Sequence, residues 1–456
     1  MTSYGKSRIK IKTSIPGKKG KEIIEMSHKY MATTTQTLPV VGSRGRGVYV
    51  EDIDGNIFLD FTSGISVTNL GYNNEHVIGT VEKQLHELWH FAGTDFYADV
   101  QAQAAKSLVD VTPGKFDKKV FFTNSGTESV EAAIKIAKSF SKRHQFIGFI
   151  GSFHGRTHGS LSFTASKALQ HKDFFPLMPG VEHVPYPDPY RNPFGIDGYE
   201  DPSELVNRVI DFIDNYVFKT YVPPSDVAGI MAEPVLGEGG YIVPPRSFFV
   251  ELHKLARSHD IPLILDEVQT GFGRTGRFFA SEHFGVEPEM ILLAKSIASG
   301  IPMGAVVLKS EMDFPEEGMH SNTFGGNLLA SAACVATIDQ LKRRGAVKNS
   351  EKVGAYAMKR MNEVKESYEV VGDVRGLGLM LAIDFVKDRR SKEFYEKFRD
   401  NVIERAFKKG LLLLSTGRSA IRIIPPLVIT EDEMDEGLNV LEDSIKFVMS
   451  NSSKGR

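Results

Sequence analysis

"LILDEVQTGFGRTG", Leu263 to Gly276, carries the reading on which the fold turns. An apolar run of β character ends on Asp266 and Glu267, and Gly271, Gly273 and Gly276 follow in the G-x-G-x-x-G spacing of a dinucleotide-binding turn. Such a turn works directly after its strand and at the start of a long helix, where backbone N–H groups and the helix dipole meet pyrophosphate. Here two carboxylates hold the strand end and would repel an anion, and "RFFASEHFG" after Gly276 allows only a short helix. The acid expected about twenty residues further on is at best Glu289, directly after Pro288. A nicotinamide-dependent oxidoreductase built on these glycines is therefore outweighed by a strand whose terminal acid is the functional group.

Outward from that strand, segments of β character alternate with helical periodicity, the signature of an α/β fold with a mainly parallel sheet covered by helices. "KVFFTNSG" reads as strand then turn, after which Val130, Ala133, Ile134, Ala137 and Phe140 recur at helical spacing. "QFIGFI", "VAGIMAE", "PLILDEV" and "EMILLAKS" read as strands, "SELVNRVIDFIDNYVF" and "SFFVELHKLARSH" as helices. The proline-rich passage from Pro176 to Pro202 is expected to be a long ordered loop. Asp54-Gly55 in "GVYVEDIDGNIFLDF" is a hairpin signal. From about Leu341 a long helix, paired strands in "VVGDVRGLGLMLAIDF", a second helix and "IRIIPPLVIT" form a smaller α+β lobe. The expected domains are an N-terminal arm and hairpin segment over residues 1–70, belonging to the small domain, a large domain over 71–340 and the C-terminal small domain over 341–456.

The 456 residues are 41% hydrophobic and 25% charged with a net charge of -2, which exerts no global pull toward nucleic acid or anionic membrane and points to small-molecule partners. The single cysteine, Cys334, forms no intrachain disulfide and no cysteine-rich metal site, so a reducing, cytoplasmic setting is expected. Lys6, Arg8, Lys10, Lys12, Lys18, Lys19 and Lys21 read as a solvated basic arm, since no apolar stretch follows them. The window Ile291 to Leu308 contains Lys295 and several glycines and prolines, so it reads as a buried strand and turn and not as a membrane span.

Phosphate is better expected at "NSGTES", Asn124 to Ser129, which follows a strand and opens the amphipathic helix, placing N–H groups of Gly126 and Thr127 at its positive end. A plain capping motif is the competing reading. Lys295 lies in the apolar stretch "MILLAKSIASGIPMGAVV", where a lysine costs free energy unless it is paired, neutralised or covalently used. Asp266 at the end of the neighbouring strand supplies what a pyridine cofactor needs beside such a lysine, a carboxylate that keeps the ring nitrogen protonated. His154 and His158 have the spacing of a metal pair but no third ligand accompanies them, and no metal is expected.

On these residues the chain resembles the class III, pyridoxal-phosphate-dependent aminotransferases of fold type I, the group that includes 4-aminobutyrate and ornithine aminotransferases. The resemblance runs from about Pro39 to Met434, and "LILDEVQTGFGRTGRFFASEHFGVEPEMILLAKSIASGIPMGAVV" looks like the family signature almost throughout. It implies a large domain built on a mainly parallel sheet, a smaller α+β domain and pyridoxal 5'-phosphate as cofactor. It further implies Lys295 as the Schiff-base lysine, Asp266 as partner of the pyridine nitrogen, Gln269 as a donor near the ring hydroxyl, and Ser125, Gly126 and Thr127 as the phosphate turn. In "SFHGRT", Phe153 would stack on the ring, His154 would lie on the cofactor side and Arg156 would reach a substrate carboxylate. Thr323, in "HSNTFGGN", matches a residue that in relatives contacts the phosphate in the neighbouring subunit, which implies a homodimer or a dimer of dimers with shared active sites.

Arg422 matches the arginine that grips the α-carboxylate of 2-oxoglutarate, and Glu238 its parking partner when an ω-amine binds instead. Ile65 stands where ornithine-specific relatives carry tyrosine, so the pocket resembles the 4-aminobutyrate type. The resemblance thus implies transfer of an amino group from an ω- or α-amino acid to a keto acid such as 2-oxoglutarate. Leu236, Val130 and "AKSIASG" depart from the family pattern without removing a catalytic group. The loop "PYRNPFGIDGYEDP" and "GDVRGLGLM" are similar to those of archaeal amino-acid racemases, which implies racemisation as the alternative activity.

Overall fold

A computed structural model describes residues 8–35 and 37–452, which fall into two compact units, His76–Lys348 and a second made of residues up to Glu75 together with those from Asn349 onward. The first holds a seven-stranded sheet with spatial order Lys118–Thr123, Gly304–Lys309, Met290–Leu293, Leu263–Asp266, Val227–Ala232, Gln145–Phe149 and Val181–Val184. Gly304–Lys309 runs antiparallel to both neighbours, and every other adjacent pair is parallel. The inner strands are buried along their whole length, because apolar layers cover both faces, as parallel sheets require. On one face Val206, Val209, Phe248, Phe249, Leu252 and Ala256 pack over the sheet from helices Pro202–Asp211 and Phe248–Ser258. On the other, Val130, Ala133, Ile134 and Ala137 do so from helix Gly126–Ser141. Each such large side chain contributes about 1.5–3 kcal/mol by leaving water.

The second unit contains two four-stranded sheets. The hairpin Tyr49–Asp52 and Ile57–Asp60 turns at Asp54-Gly55 and is flanked by Gly42–Arg46 and Leu411–Leu412. The other sheet joins Val371–Leu377, Met380–Phe385, Ala420–Ile423 and Leu414–Thr416. Helices Glu396–Lys408 and Glu431–Ser452 belong to this unit.

Several local expectations are corrected. The basic arm carries a helix, Lys18–Tyr30, in which Asp54 accepts from the N–H groups of Lys19 and Gly20 at 3.0 and 2.9 Å, while Lys6 lies outside the described residues. The proline-rich passage contains the edge strand Val181–Val184, possible because Pro179 and Pro185 lie outside it and Gly148 and its neighbours supply one pairing edge. Its remainder is ordered by Asn192, whose Nδ2 donates to Asp188 and Ile196 carbonyls at 3.0 and 2.7 Å. The helix expected from about Leu341 is two helices, Leu328–Arg343 and Ala346–Ser367, interrupted at Gly345, whose φ of +62° a side chain would resist. Phe140, counted in the apolar stripe of its helix, is exposed.

At Gly304 the antiparallel strand passes so close to the turn after Lys118–Thr123 that an added Cβ would meet the Thr123 hydroxyl and lie 2.7 Å from both the Ser125 carbonyl and Ser129 Oγ. Gly304→Ala is therefore expected to lose about 1–3 kcal/mol by overpacking, lowering the thermal midpoint by several degrees. An unchanged midpoint in a melting scan would show that the hydroxyls can turn aside.

Candidate functional site

The parallel strands all end at one edge of the sheet, where ligands bind in open α/β sheets, and Asp266, Lys295, the Asn124–Gly126 turn and Phe153–His154 follow those strand ends. Asp266 is the last residue of its strand, and Lys295 follows Met290–Leu293, the strand paired to it in the register Asp266 to Leu292. Lys295 begins a single tight turn and has a φ of +46°, a left-handed conformation that costs a non-glycine residue about 1–3 kcal/mol. Its position is thereby held against local preference.

The turn Asn124–Gly126 is built as a cap. Ser125 accepts from the Glu128 N–H at 3.3 Å, and Glu128 Oε2 accepts in return from the Asn124 N–H at 2.8 Å. In the first turn of this helix the N–H groups of Gly126 and Thr127 have no carbonyl one turn behind them. Thr127 Oγ1 shares hydrogen bonds with Ser160 Oγ at 2.6 Å and Thr157 Oγ1 at 2.9 Å, a concentration of hydroxyl donors beside the positive helix end. A Cβ at Gly126 would lie 3.0 Å from Val268 Cγ1 and 3.6 Å from Ala294 Cβ. The small residue thus lets this turn nest between the loop after Asp266 and the residue before Lys295.

Asp266 is 5% exposed. His154 Nδ1–H donates to its Oδ2 at 2.7 Å and the Val268 N–H donates to Oδ1 at 3.0 Å. His154 is itself buried. Burial pulls its pKa down, but the Asp266 hydrogen bond and the charges of Asp266 and Glu233 outweigh that, so the imidazole is displaced upward. Gln269 is buried and its Nε2 donates to the Tyr241 hydroxyl at 2.7 Å. The Arg156 guanidinium lies 5.6 Å from the centre of the Phe153 ring. Glu238 pairs with Lys167 at 3.2 Å. Thr323 is exposed, next to Asn322, whose side chain donates to the Phe122 carbonyl at 2.9 Å.

Ile65 and Arg422 belong to the other compact unit. Arg422 is 6% exposed, and its Nε donates to the Ser415 carbonyl across the strand pair at 2.9 Å. Ile65 sits in a turn, Ser63 to Ser66, whose residues all have φ between +43° and +66°. A β-branched residue is a genuine outlier there. The turn is tied to the strand of Arg422, since Ser63 Oγ donates to the Ile424 carbonyl at 2.7 Å.

Two residues escaped the sequence reading. Tyr241 is fully buried against Gln269, and nothing in "GEGGY" marks it as polar core. Glu233 is 5% exposed one residue beyond the strand Val227–Ala232, the place Asp266 nearly holds on the adjacent strand, and a search for acids at every parallel strand end finds it. Its Oε1 accepts from the Phe153 N–H at 2.7 Å and its Oε2 from the Gly237 N–H at 2.8 Å. Burial pushes its carboxyl up to about 7, against the lowering effect of His154 and the two N–H donors.

The donor set fits a phosphorylated pyridine. It offers N–H and hydroxyl donors at a helix N-terminus for the phosphate, a buried carboxylate backed by histidine for a ring N–H, and a lysine at the end of the strand beside that carboxylate.

Comparison with known proteins agrees. The model of the aminotransferase class-III family matches residues 30–445. An alanine/serine racemase of Pyrococcus horikoshii is 39% identical over 445 residues, covering 97% of this chain and 93% of that one. A probable 4-aminobutyrate aminotransferase of Bacillus subtilis is 35% identical over 406 residues, 88% of this chain and 92% of that one. Among solved structures, an amine transaminase from an uncultivated Pseudomonas species in a PLP-bound form superposes with a TM-score of 0.84 at 29% identity, over 92% of this chain and 98% of that one.

Because the Asp266 hydrogen bond and charge displace the His154 pKa upward, Asp266→Asn is expected to lower it. The His154 ring protons, followed by NMR across a pH titration, report it, and an unmoved midpoint would assign the displacement to another group.

Proposed function

Starting from a chain that belongs to the class-III aminotransferase family, we propose that it transfers the amino group of an ω-amino acid of the 4-aminobutyrate type, or of an α-amino acid, to 2-oxoglutarate. The cofactor is pyridoxal 5'-phosphate. Ser125, Gly126 and Thr127 would hold its phosphate, Asp266 its ring nitrogen, Gln269 the region of the ring hydroxyl, Phe153 and His154 the ring surroundings, and Lys295 its carbonyl carbon. Bound there, the group supplies an electron sink that acidifies the substrate C–H next to the amine.

The protein's own residues do the rest. Lys295 Nζ takes the proton from that carbon and returns it as general acid. Asp266, oriented by the His154 hydrogen bond, would face positive charge on the ring side. Arg156 and Arg422 bind carboxylates through their planar forks, and Glu238 neutralises the arginine when the substrate carries no matching carboxylate. What supports this reading is that the sequence retains Arg156, Arg422 and Glu238, the carboxylate-binding groups and switch that the family resemblance implies. Serving a dicarboxylate acceptor needs two guanidiniums and a movable carboxylate, and racemisation needs neither.

Racemisation is the second reading, favoured by the 39% identity to the alanine/serine racemase and by the ordered loop around Asn192. Both readings begin with the same proton removal and differ in where the proton returns. The discriminating experiment adds 4-aminobutyrate, N-acetylornithine or L-alanine to the holoenzyme without keto acid. Transamination converts the visible spectrum to that of the amine form of the cofactor and releases an aldehyde or oxo acid in one stoichiometric burst. Racemisation instead accumulates D-amino acid over many turnovers, read by chiral chromatography. Lys295→Ala is expected to abolish both, together with the borohydride-trapped cofactor adduct.

Assembly as a homodimer is part of the proposal. Leu88, Trp89, Phe91, Phe96, Tyr97 and Phe324 are all exposed in the larger unit, and the Asn327 side chain ties the Trp89 carbonyl to the loop that bears Thr323. Exposed apolar area of this kind marks an interface. A charge placed there, Trp89→Glu, is expected to shift the protein toward monomer in sedimentation and to weaken cofactor retention, since Thr323 would serve the neighbouring site. A dimer of unchanged affinity would remove the interface from this face.

A further inference from the structure

Glu233 is a buried acid outside every role assigned above. Its two oxygens are divided between two loops: Oε1 accepts from the Phe153 N–H at 2.7 Å, and Oε2 from the Gly237 N–H at 2.8 Å. One loop presents the Phe153 ring and the His154 imidazole, and the other carries Glu238 directly after Gly237. The segment bearing Glu233 is fixed from behind, because the Tyr186 hydroxyl donates to the main-chain carbonyls of Glu233 and Pro234 at 3.0 and 3.2 Å. The carboxylate therefore bridges two loops from a fixed support.

Resting on the functional reading above, we infer that Glu233 is a positioning residue whose ionised carboxylate ties the Phe153 loop to the Gly237–Glu238 loop, so that the surface for the cofactor ring and the carboxylate of the substrate switch are set together.

The chemistry follows from counting donors. An ionised carboxylate accepts at both oxygens, and both amides are held. A protonated carboxyl turns one oxygen into a hydroxyl, a poorer acceptor whose O–H must point away from the facing N–H, so one of the two ties is weakened. The titratable groups that face Glu233 are His154 from the loop after Gln145–Phe149, Asp266 from its own strand and Tyr186 from the loop after Val181–Val184. His154 favours the ionised carboxyl and Asp266 opposes it, and burial, the largest influence, brings the change to about pH 7. The tie therefore strengthens as pH rises through neutrality and weakens as pH falls.

Hydrogen–deuterium exchange on the holoenzyme tests this without reference to turnover. After correction for intrinsic exchange, at least one of the Phe153 and Gly237 amides is expected to lose about tenfold in protection as pH falls through about 7. In Glu233→Gln, whose amide accepts at one atom and donates at the other, the step is expected to vanish, with one of the two amides fast at all pH. The visible circular dichroism of the bound cofactor should lose the same pH step. Pronounced protection of both amides independent of pH in the wild type would overturn the inference, as would an unaltered step in Glu233→Gln. The wild-type measurement decides even if the variant does not fold. Failure of the functional reading shows separately, as absence of the borohydride-trapped adduct on Lys295.

Discussion

Everything at the ligand edge of the large sheet is arranged around one buried hydrogen bond, His154 Nδ1–H to Asp266 Oδ2 at 2.7 Å. A carboxylate at 5% exposure has lost hydration that hydrogen bonds must replace. The imidazole and the Val268 N–H supply those hydrogen bonds, and the strand ladder keeps it in place. The neighbouring features follow from that anchor. Lys295 comes after the adjacent strand, whose register sets it beside Asp266, and it begins its turn with left-handed backbone. The turn at Gly126 must nest against Val268 and Ala294, and it has no side chain for that reason.

How much of this was legible in the sequence depends on whether a residue's role leaves a local mark. Asp266 and Lys295 do: an acid closing an apolar run and a lysine inside one are costly unless used. The helix Gly126–Ser141 is equally plain, since periodicity and cap agree. Glu233 and Tyr241 left no such mark, because their partners are main-chain amides and a glutamine brought close only by folding. The strand Val181–Val184 was hidden by flanking prolines, whose local preference does not reveal that Gln145–Phe149 offers it an edge. The three glycines of "GFGRTG" were the opposite case, a loud pattern with little consequence. Gly273 and Gly276 simply adopt φ of +85° and +87° in a loop whose Glu267 carboxylate accepts from the Ala280 and Ser281 N–H groups.

The same scaffold accommodates both activities under consideration because the first proton movement is common to them. What separates them lies away from Lys295, in whether the site must also recognise a second, dicarboxylic substrate. That makes the arginines and Glu238 more informative about reaction type than any residue of the lysine strand. Two of the deciding side chains, Arg422 and the strained Ile65, stand on one stitched substructure of the smaller unit, so a change in one backbone is felt by the other.

The reversed strand Gly304–Lys309 bears on how the chain acquires its site. Lys118–Thr123 lies at the sheet edge and pairs with that strand alone, in a register that joins Thr123 to Gly304 across 181 residues of chain. Contacts of such separation form late, since the closure of the intervening loop must precede them. The strand that leads into the turn at Ser125 therefore lacks its sheet partner until Gly304–Lys309 has been made. A chain cut short before Gly304 thus leaves Lys118–Thr123, and the turn that follows it, without the strand that fixes it to the sheet.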